Sequence, residues 1–257
     1  RRQLALAHEL AGRIDQTARI TGLFAHAVPP GMDADAWLDQ VERELLPSAE
    51  VDALDIYVES VAFTNEQLRR VGRMAAARGV ALRAHVEQFN ANRSVPVALE
   101  CGARSVDHLA RLHPDDIAAL AKADCAAVLL PGAEFLGDES VAPGRALLDA
   151  GARCVLATDC NPGTSPVSSL PLVMGLAVRR YGWTAAEALR AVTEDAAWVL
   201  GLDGELGSLE AGKRADVLVL DGPIEHIPYR LGHNPVAVVI IGGQVAWVRP
   251  DQEWRIR

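Results

Sequence analysis

Short apolar runs alternate with longer stretches of helical periodicity along most of the chain. Runs at 20–25, 54–58, 80–84, 126–130 and 154–157 read as buried strands, because each is mainly apolar, too short for a helix and bounded by polar or breaker residues, and 104–106 reads as a further brief strand ending in Asp107 and His108. Between them, 35–46, 64–77, 95–101, 114–123 and 143–150 carry apolar residues at the spacing of one helical face; 168–180 and 184–200 follow the last strand in the same way. The clearest boundary signals belong to 64–77, where Thr64 is followed by Glu66 and Gln67 and Gly79 stands just past the end. Pro114 opens its helix, where a missing N–H is harmless. Pro29-Pro30, Pro131-Gly132 and Pro162-Gly163 read as breakers. The chain itself opens inside an amphipathic pattern, with Leu4, Leu6, Ala7, Leu10, Ala11 and Ile14 apolar and no capping residue ahead of them.

Strand followed by helix, repeated through 157, predicts a parallel α/β architecture. No Gly-rich nucleotide loop follows the first strand, and polar residues end several strands, so a (β/α)8 TIM-type barrel suits the pattern better than an open doubly wound sheet. Such a barrel has eight strands. The expectation is therefore a partial barrel with six of them over 1–200, the first two lying outside this sequence. From Leu202 onward the runs become short and rich in Gly and Val, at 206–209, 215–220, 237–241 and 244–248, with turns at Ala211-Gly212, Asp221-Gly222 and Gly242-Gly243. This predicts a small C-terminal β domain over 201–257.

Half of the 257 residues are hydrophobic, enough for a real core, and the formal charge is −9. With no cluster of Lys and Arg offsetting that surplus, nucleic acid and anionic membranes are excluded as expected partners, leaving a small-molecule substrate and a homodimer as the assembly open to it. No apolar run approaches the roughly 18 residues of a membrane span, and 1–20 lacks the pattern of a secretion signal. Cys101, Cys125, Cys154 and Cys160 form no C-x-x-C pair and fit free thiols in a reducing cytoplasm; Cys160 has no base pattern around it that would make it a nucleophile.

The stretch RCVLATDCNPGTSP at 153–166 places Asp159 at the C-terminal end of the last strand, the side on which βα loops carry chemistry. Alone, such an aspartate commonly caps a helix or pins a turn. Its significance comes from His26, His85 and His108, which end earlier strands. Imidazoles and a carboxylate converging without thiolates suit Zn²⁺, or Fe²⁺ as second choice, for the activation of water. Glu59 also ends a strand and is expected to be an exposed carboxylate.

AHAVPP at 25–30, the H-x-x-x-F segment at 85–89, VDHL at 106–109, VLLPGA at 128–133 and ATDCNPGTSP at 157–166 resemble the imidazolonepropionases, amidohydrolase-superfamily enzymes of histidine degradation. SLEAGKRADVLVLD at 208–221 is similar to the small-domain signature of that superfamily, and YRLGHNPV at 229–236 again resembles the family. The resemblance implies ring opening of 4-imidazolone-5-propanoate to N-formimidoyl-glutamate. It implies His85 and Asp159 as metal ligands, Asp159 and His108 in catalysis, and His26, Gln88 and Asn161 as substrate contacts. Two departures stand out. The family's H-x-H motif of the first strand has no counterpart here, and Gln88 occupies the position of a family glutamate that can move protons, a capacity an amide lacks. Glu87 next to it is expected to point elsewhere. The alternatives left open are another amidohydrolase, such as a deaminase or formimidoyl-glutamate deiminase, and a non-catalytic homologue.

Overall fold

The computed structural model describes residues 1–137 and 140–252. Six strands form a parallel sheet in sequence order: β1 (Thr21–Ala25), β2 (Ala53–Val58), β3 (Ala81–Val86), β4 (Ser105–His108), β5 (Ala126–Leu129) and β6 (Arg153–Leu156). Neighbouring parallel strands need a crossover, and helices supply it. α1 (Arg2–Ala11) precedes the sheet; α2 (Ala34–Gln40), α3 (Asn65–Arg78), α4 (Ser94–Glu100), α5 (Pro114–Leu120), α6 (Pro131–Leu136) and α7 (Gly144–Asp149) lie between its strands in sequence. After β6 come α8 (Leu170–Tyr181), α9 (Ala185–Val192) and α10 (Glu194–Val199), then a three-stranded antiparallel sheet of β7 (Val217–Leu220), β8 (Val236–Ile241) and β9 (Gln244–Val248), with the short α11 (His226–Tyr229) after β7.

The described chain divides into two compact units, 1–129 with 140–153, and 130–137 with 154–252. In the first, β3 alternates buried and half-buried residues along its length, as one period-2 strand face demands. Leu54, Ile56, Val58, Leu82, Ala84, Val86 and Val106 form the apolar layer, against which α3 sets Leu68, Val71, Met74 and Ala75. Thr64 and Gln67 close a reciprocal capping box at the start of α3, and Gly79 ends it in the left-handed conformation. In the second unit α8 buries Val173, Met174, Leu176 and Ala177 and packs against α6, α9 and α11. Buried Glu134 accepts a hydrogen bond of 2.8 Å from the Tyr181 hydroxyl and pairs with Arg180 Nε at 3.4 Å. Burial, reinforced by that carboxylate, raises the Tyr181 hydroxyl well above its ordinary range.

Backbone geometry refines some local expectations and overturns others. Pro131-Gly132 does not merely break a strand: Pro131 is the first residue of α6, a position that tolerates its missing N–H. The stretch 35–46 begins as α2 but widens into a π-helical turn over Val41–Leu45 and tightens to a 3-10 turn at Leu46–Ser48. The stretch 184–200 splits into α9 and α10 at Thr193, whose backbone leaves the helical region at φ −123°, ψ −89°. The run 206–209 is not a strand. Leu206 N–H donates back to Leu202 O at 2.7 Å, and Gly207, with φ +92°, folds the chain against α10.

Candidate metal centre at the strand ends

Strand register builds the site. Tyr57, His85 and Asp107 lie side by side across β2, β3 and β4, and Asp55, Arg83 and Ser105 form the row beneath them. Residues two apart on a strand share a face, so these two polar rows stack on one side of the sheet, while the intervening Ile56, Ala84 and Val106 are buried on the other. His85 Nδ1 lies 3.1 Å from Asp55 Oδ1 and 4.0 Å from Asp107 Oδ2. Ser105 donates to the other oxygen of Asp107 at 2.9 Å. Among the described residues, Asp55, His85 and Asp107 form a group whose nitrogen and carboxylate donors converge closely enough to share one ion. One imidazole and two carboxylates suit Zn²⁺ or Fe²⁺, and donors bound to one tetrahedral ion stand about 3.3 Å apart, between the two separations seen here. Alternatively, a proton on Nδ1 donated to Asp55 leaves Nε2 as the lone-pair nitrogen of His85. Burial, with the negative Asp55 adding to it, holds the Asp107 carboxyl above the usual carboxylate range against the opposing pull of His85.

Aromatic rings continue from this cluster. The His108 ring lies 5.4 Å from that of His85; Tyr57 meets His85 edge-on at 6.4 Å and stacks on His26 at 5.6 Å. Strict alternation would set His108 opposite Asp107, but His108 and Leu109 take left-handed backbones, φ 76° and 66°, which end the strand's alternation. His108 is buried, its Nδ1 has no hydrogen-bond partner among the described residues, and burial together with neighbouring His85 pushes its pKa down to about 3. Glu87 is also left-handed, at φ 57°. Its side chain turns into the protein to accept Ser94 N–H at 2.7 Å, so it does not stand in for Gln88. Gln88 Oε1 accepts from the Tyr57 hydroxyl at 3.3 Å.

The expectation for Glu59 was wrong. It is 2 % exposed, and its carboxylate accepts Gln88 N–H at 2.9 Å, Phe89 N–H at 3.0 Å and Asn90 Nδ2–H at 2.6 Å. Composition gave no signal of this, because its donors lie about thirty residues along the chain and meet it only through the β2–β3 pairing. Asp55 and Tyr57 were likewise passed over, although a carboxylate inside the buried run ALDIYV, two positions before a tyrosine, was a legible sign of a polar strand face.

His26, His85, Gln88 and His108 thus come together in the first unit. Asp159 and Asn161 belong to the second, in the loop after β6. Asp159 has a left-handed backbone, φ 49°. The Asn161 carboxamide is engaged inside its own loop, donating to Asp159 O at 2.7 Å and accepting from Gly163 N–H at 2.8 Å and Thr164 N–H at 2.7 Å. Buried Ser165 closes the loop by donating to Thr158 O at 2.8 Å. A separate cleft of about 500 Å³, lined by residues including Leu4, His8, Phe24, Leu45 and Glu50, involves none of these groups.

Residues 57–246 match the sequence model of the amidohydrolase family. The chain belongs to the amidohydrolase family. Curated relatives of this amidohydrolase chain include the imidazolonepropionases of Rubrobacter xylanophilus, 47 % identical over 88 % of the chain and 55 % of the relative, and of Sphingopyxis alaskensis, 41 % identical over 93 % and 60 %. The chain therefore spans a little over half the length of these relatives. Among solved structures it is similar to a putative prolidase from Bifidobacterium longum, with a TM-score of 0.73, 23 % identity and coverage of 96 % of this chain and 70 % of that one. It is also similar to an adenosine deaminase from Xanthomonas campestris with bound zinc, with a TM-score of 0.69, 18 % identity and coverage of 93 % and 63 %. At such identities the structural likeness speaks for the fold, a TIM-barrel type. Among the described residues no helix is long and apolar enough to cross a membrane.

Proposed function

We propose that the protein carrying this chain is a metal-dependent hydrolase that opens the ring of 4-imidazolone-5-propanoate to N-formimidoyl-glutamate. The observation that carries the reading is identity of 38–47 % to imidazolonepropionases over most of the chain, with the matched segment containing the histidine and carboxylate cluster on β2, β3 and β4. His85, with Asp55 and Asp107 against it, would hold the ion, Zn²⁺ by preference and Fe²⁺ as second choice. A bound divalent ion supplies water activation near neutral pH. His108, kept neutral by burial, can donate a hydrogen bond to a carbonyl oxygen on which negative charge develops. Gln88 can hydrogen-bond the ring amide as donor or acceptor but cannot shuttle its proton. That task falls in this reading to Asp159, with His26 and Asn161 as the further substrate contacts.

The test is turnover of 4-imidazolone-5-propanoate by the complete protein, with metal quantified on the same sample. Ring opening with about one ion per chain is the expected result. Ammonia release from a panel of amidines and aminopurines, without ring opening, would replace the reading by a deaminase. Bound metal with no turnover of any of these, or absence of both metal and turnover, would overturn it.

A further inference from the structure

We infer that Glu59 and Tyr57, both at the end of β2, are positioning residues that set Gln88 for contact with the substrate. The inference rests on the hydrolase reading above and deepens it. Glu59 is a buried carboxylate whose hydrogen bonds among the described residues come from neutral groups, two backbone N–H groups and one amide. Burying an anion is costly, and neutral donors offset the cost less fully than a paired cation would. A carboxylate kept in that setting makes sense where its two oxygens do something an apolar residue could not. Here one oxygen gathers the successive N–H groups of Gln88 and Phe89, and the other takes Asn90. The chain has just left β3 through the left-handed Glu87, so the direction it takes at Gln88 is set by this clamp. Further ties act in the same sense: Asn92 Nδ2 reaches Val58 O at 3.5 Å, and Arg111 N–H donates to Glu87 O at 2.7 Å.

Tyr57 completes the arrangement from the same strand. Glu59 fixes the backbone of Gln88, and the Tyr57 hydroxyl holds its side-chain carbonyl. Tyr57 lies on β2 and Glu59 directly follows its last residue, Val58, so one strand end controls both the place and the orientation of the carboxamide. Because the Tyr57 ring also stacks on His26 and meets His85 edge-on, the setting of Gln88 is referred to the same frame as the histidines.

The experiment uses the complete protein in four forms, wild type, Glu59→Ala, Glu59→Gln and Tyr57→Phe, each with and without Gln88→Ala. Tyr57→Phe keeps the ring and removes only the hydroxyl; Glu59→Gln keeps a carbonyl able to accept both backbone N–H groups. With Gln88 present, Glu59→Ala and Tyr57→Phe should each lower kcat/KM about 10- to 100-fold with metal content unchanged, the loss expected from a misplaced contact. Glu59→Gln should recover most of it. In the Gln88→Ala background the same changes should cost little more, since residues acting through one side chain are not additive. Independently of turnover, Glu59→Ala should speed amide exchange at Gln88 and Phe89 more than about tenfold, as loss of a charge-assisted hydrogen bond requires. Full effects persisting in the Gln88→Ala background, or exchange at the two amides equal to wild type, would overturn the inference. If Glu59→Ala does not fold, Tyr57→Phe and its coupling to Gln88→Ala decide the matter. Should the wild type open no ring, the hydrolase reading fails by itself, and exchange at Gln88 and Phe89 still decides whether Glu59 sets this segment.

Discussion

Individual side chains in this protein take their chemistry from the company that strand register gives them. His85 would be an ordinary histidine without the carboxylates of Asp55 and Asp107 at 3.1 and 4.0 Å. Whether Asp55 binds an ion directly or orients the imidazole, Asp55→Asn should weaken metal affinity about 10- to 100-fold, measured by competition with a chelator. Unchanged affinity would remove Asp55 from the centre. A second aspartate gives a pH dependence of known sign. Asp221 lies 2.7 Å from His233 Nε2 and 3.0 Å from Arg249 Nη1, and these partners outweigh its burial to hold its pKa below the ordinary value. A depressed folded pKa contributes stability that is present above the unfolded value, about 3.9, and is lost as pH falls through the folded one. Asp221→Asn should therefore cost about 1–3 kcal/mol in urea unfolding at pH 7, and progressively less as pH falls below the unfolded value and through the folded one.

At the scale of elements, the capped helices and apolar strands follow from their own sequence, whereas irregular segments follow from what they touch. The capping box of Thr64 and Gln67 and the left-handed Gly79 are where the sequence signals put them, because a cap is a contact between residues three or four apart. Gly207 is the opposite case. A Cβ there would lie 2.6 Å from the Ala197 Cβ and 3.0 Å from Thr193 O, on a backbone with φ +92°. Gly207→Ala should destabilise the second unit by more than the roughly 1 kcal/mol of the left-handed conformation alone, since backbone as well as side chain must move. A thermal midpoint within a degree of wild type would show that the turn against α10 relaxes freely. The absence of a strand at 206–209 has the same cause: Gly207 lies against α10, and Leu209 is left exposed rather than paired in a sheet.

For the whole molecule, two buried or half-buried carboxylates facing one imidazole make a centre that repels itself unless protonated or occupied by a cation. An ion bound to the folded state alone should stabilise it by mass action. Chelation of the complete protein should lower its unfolding temperature, and Zn²⁺ or Fe²⁺ should restore it. An unfolding temperature indifferent to chelator would show that the carboxylates are held by protonation instead.

The sequence alone determined the alternation of strands and helices, the caps, the small C-terminal β-sheet and the membership of His85 and His108 in a strand-end cluster, because these depend on periodicity, near neighbours and motifs read along the chain. Only the tertiary structure decided that Asp55 and Tyr57 share a face with His85, that Glu59 is buried under the turn carrying Gln88, and that the Asn161 carboxamide is engaged within its own loop. Those outcomes depend on which residues of separate strands come level, and on backbone bends at Glu87, His108 and Asp159 into conformations that non-glycine residues seldom adopt. Neither is written in local pattern. Register is set by the packing of whole strands, and a left-handed residue persists only where surrounding contacts outweigh its cost of about 1–3 kcal/mol.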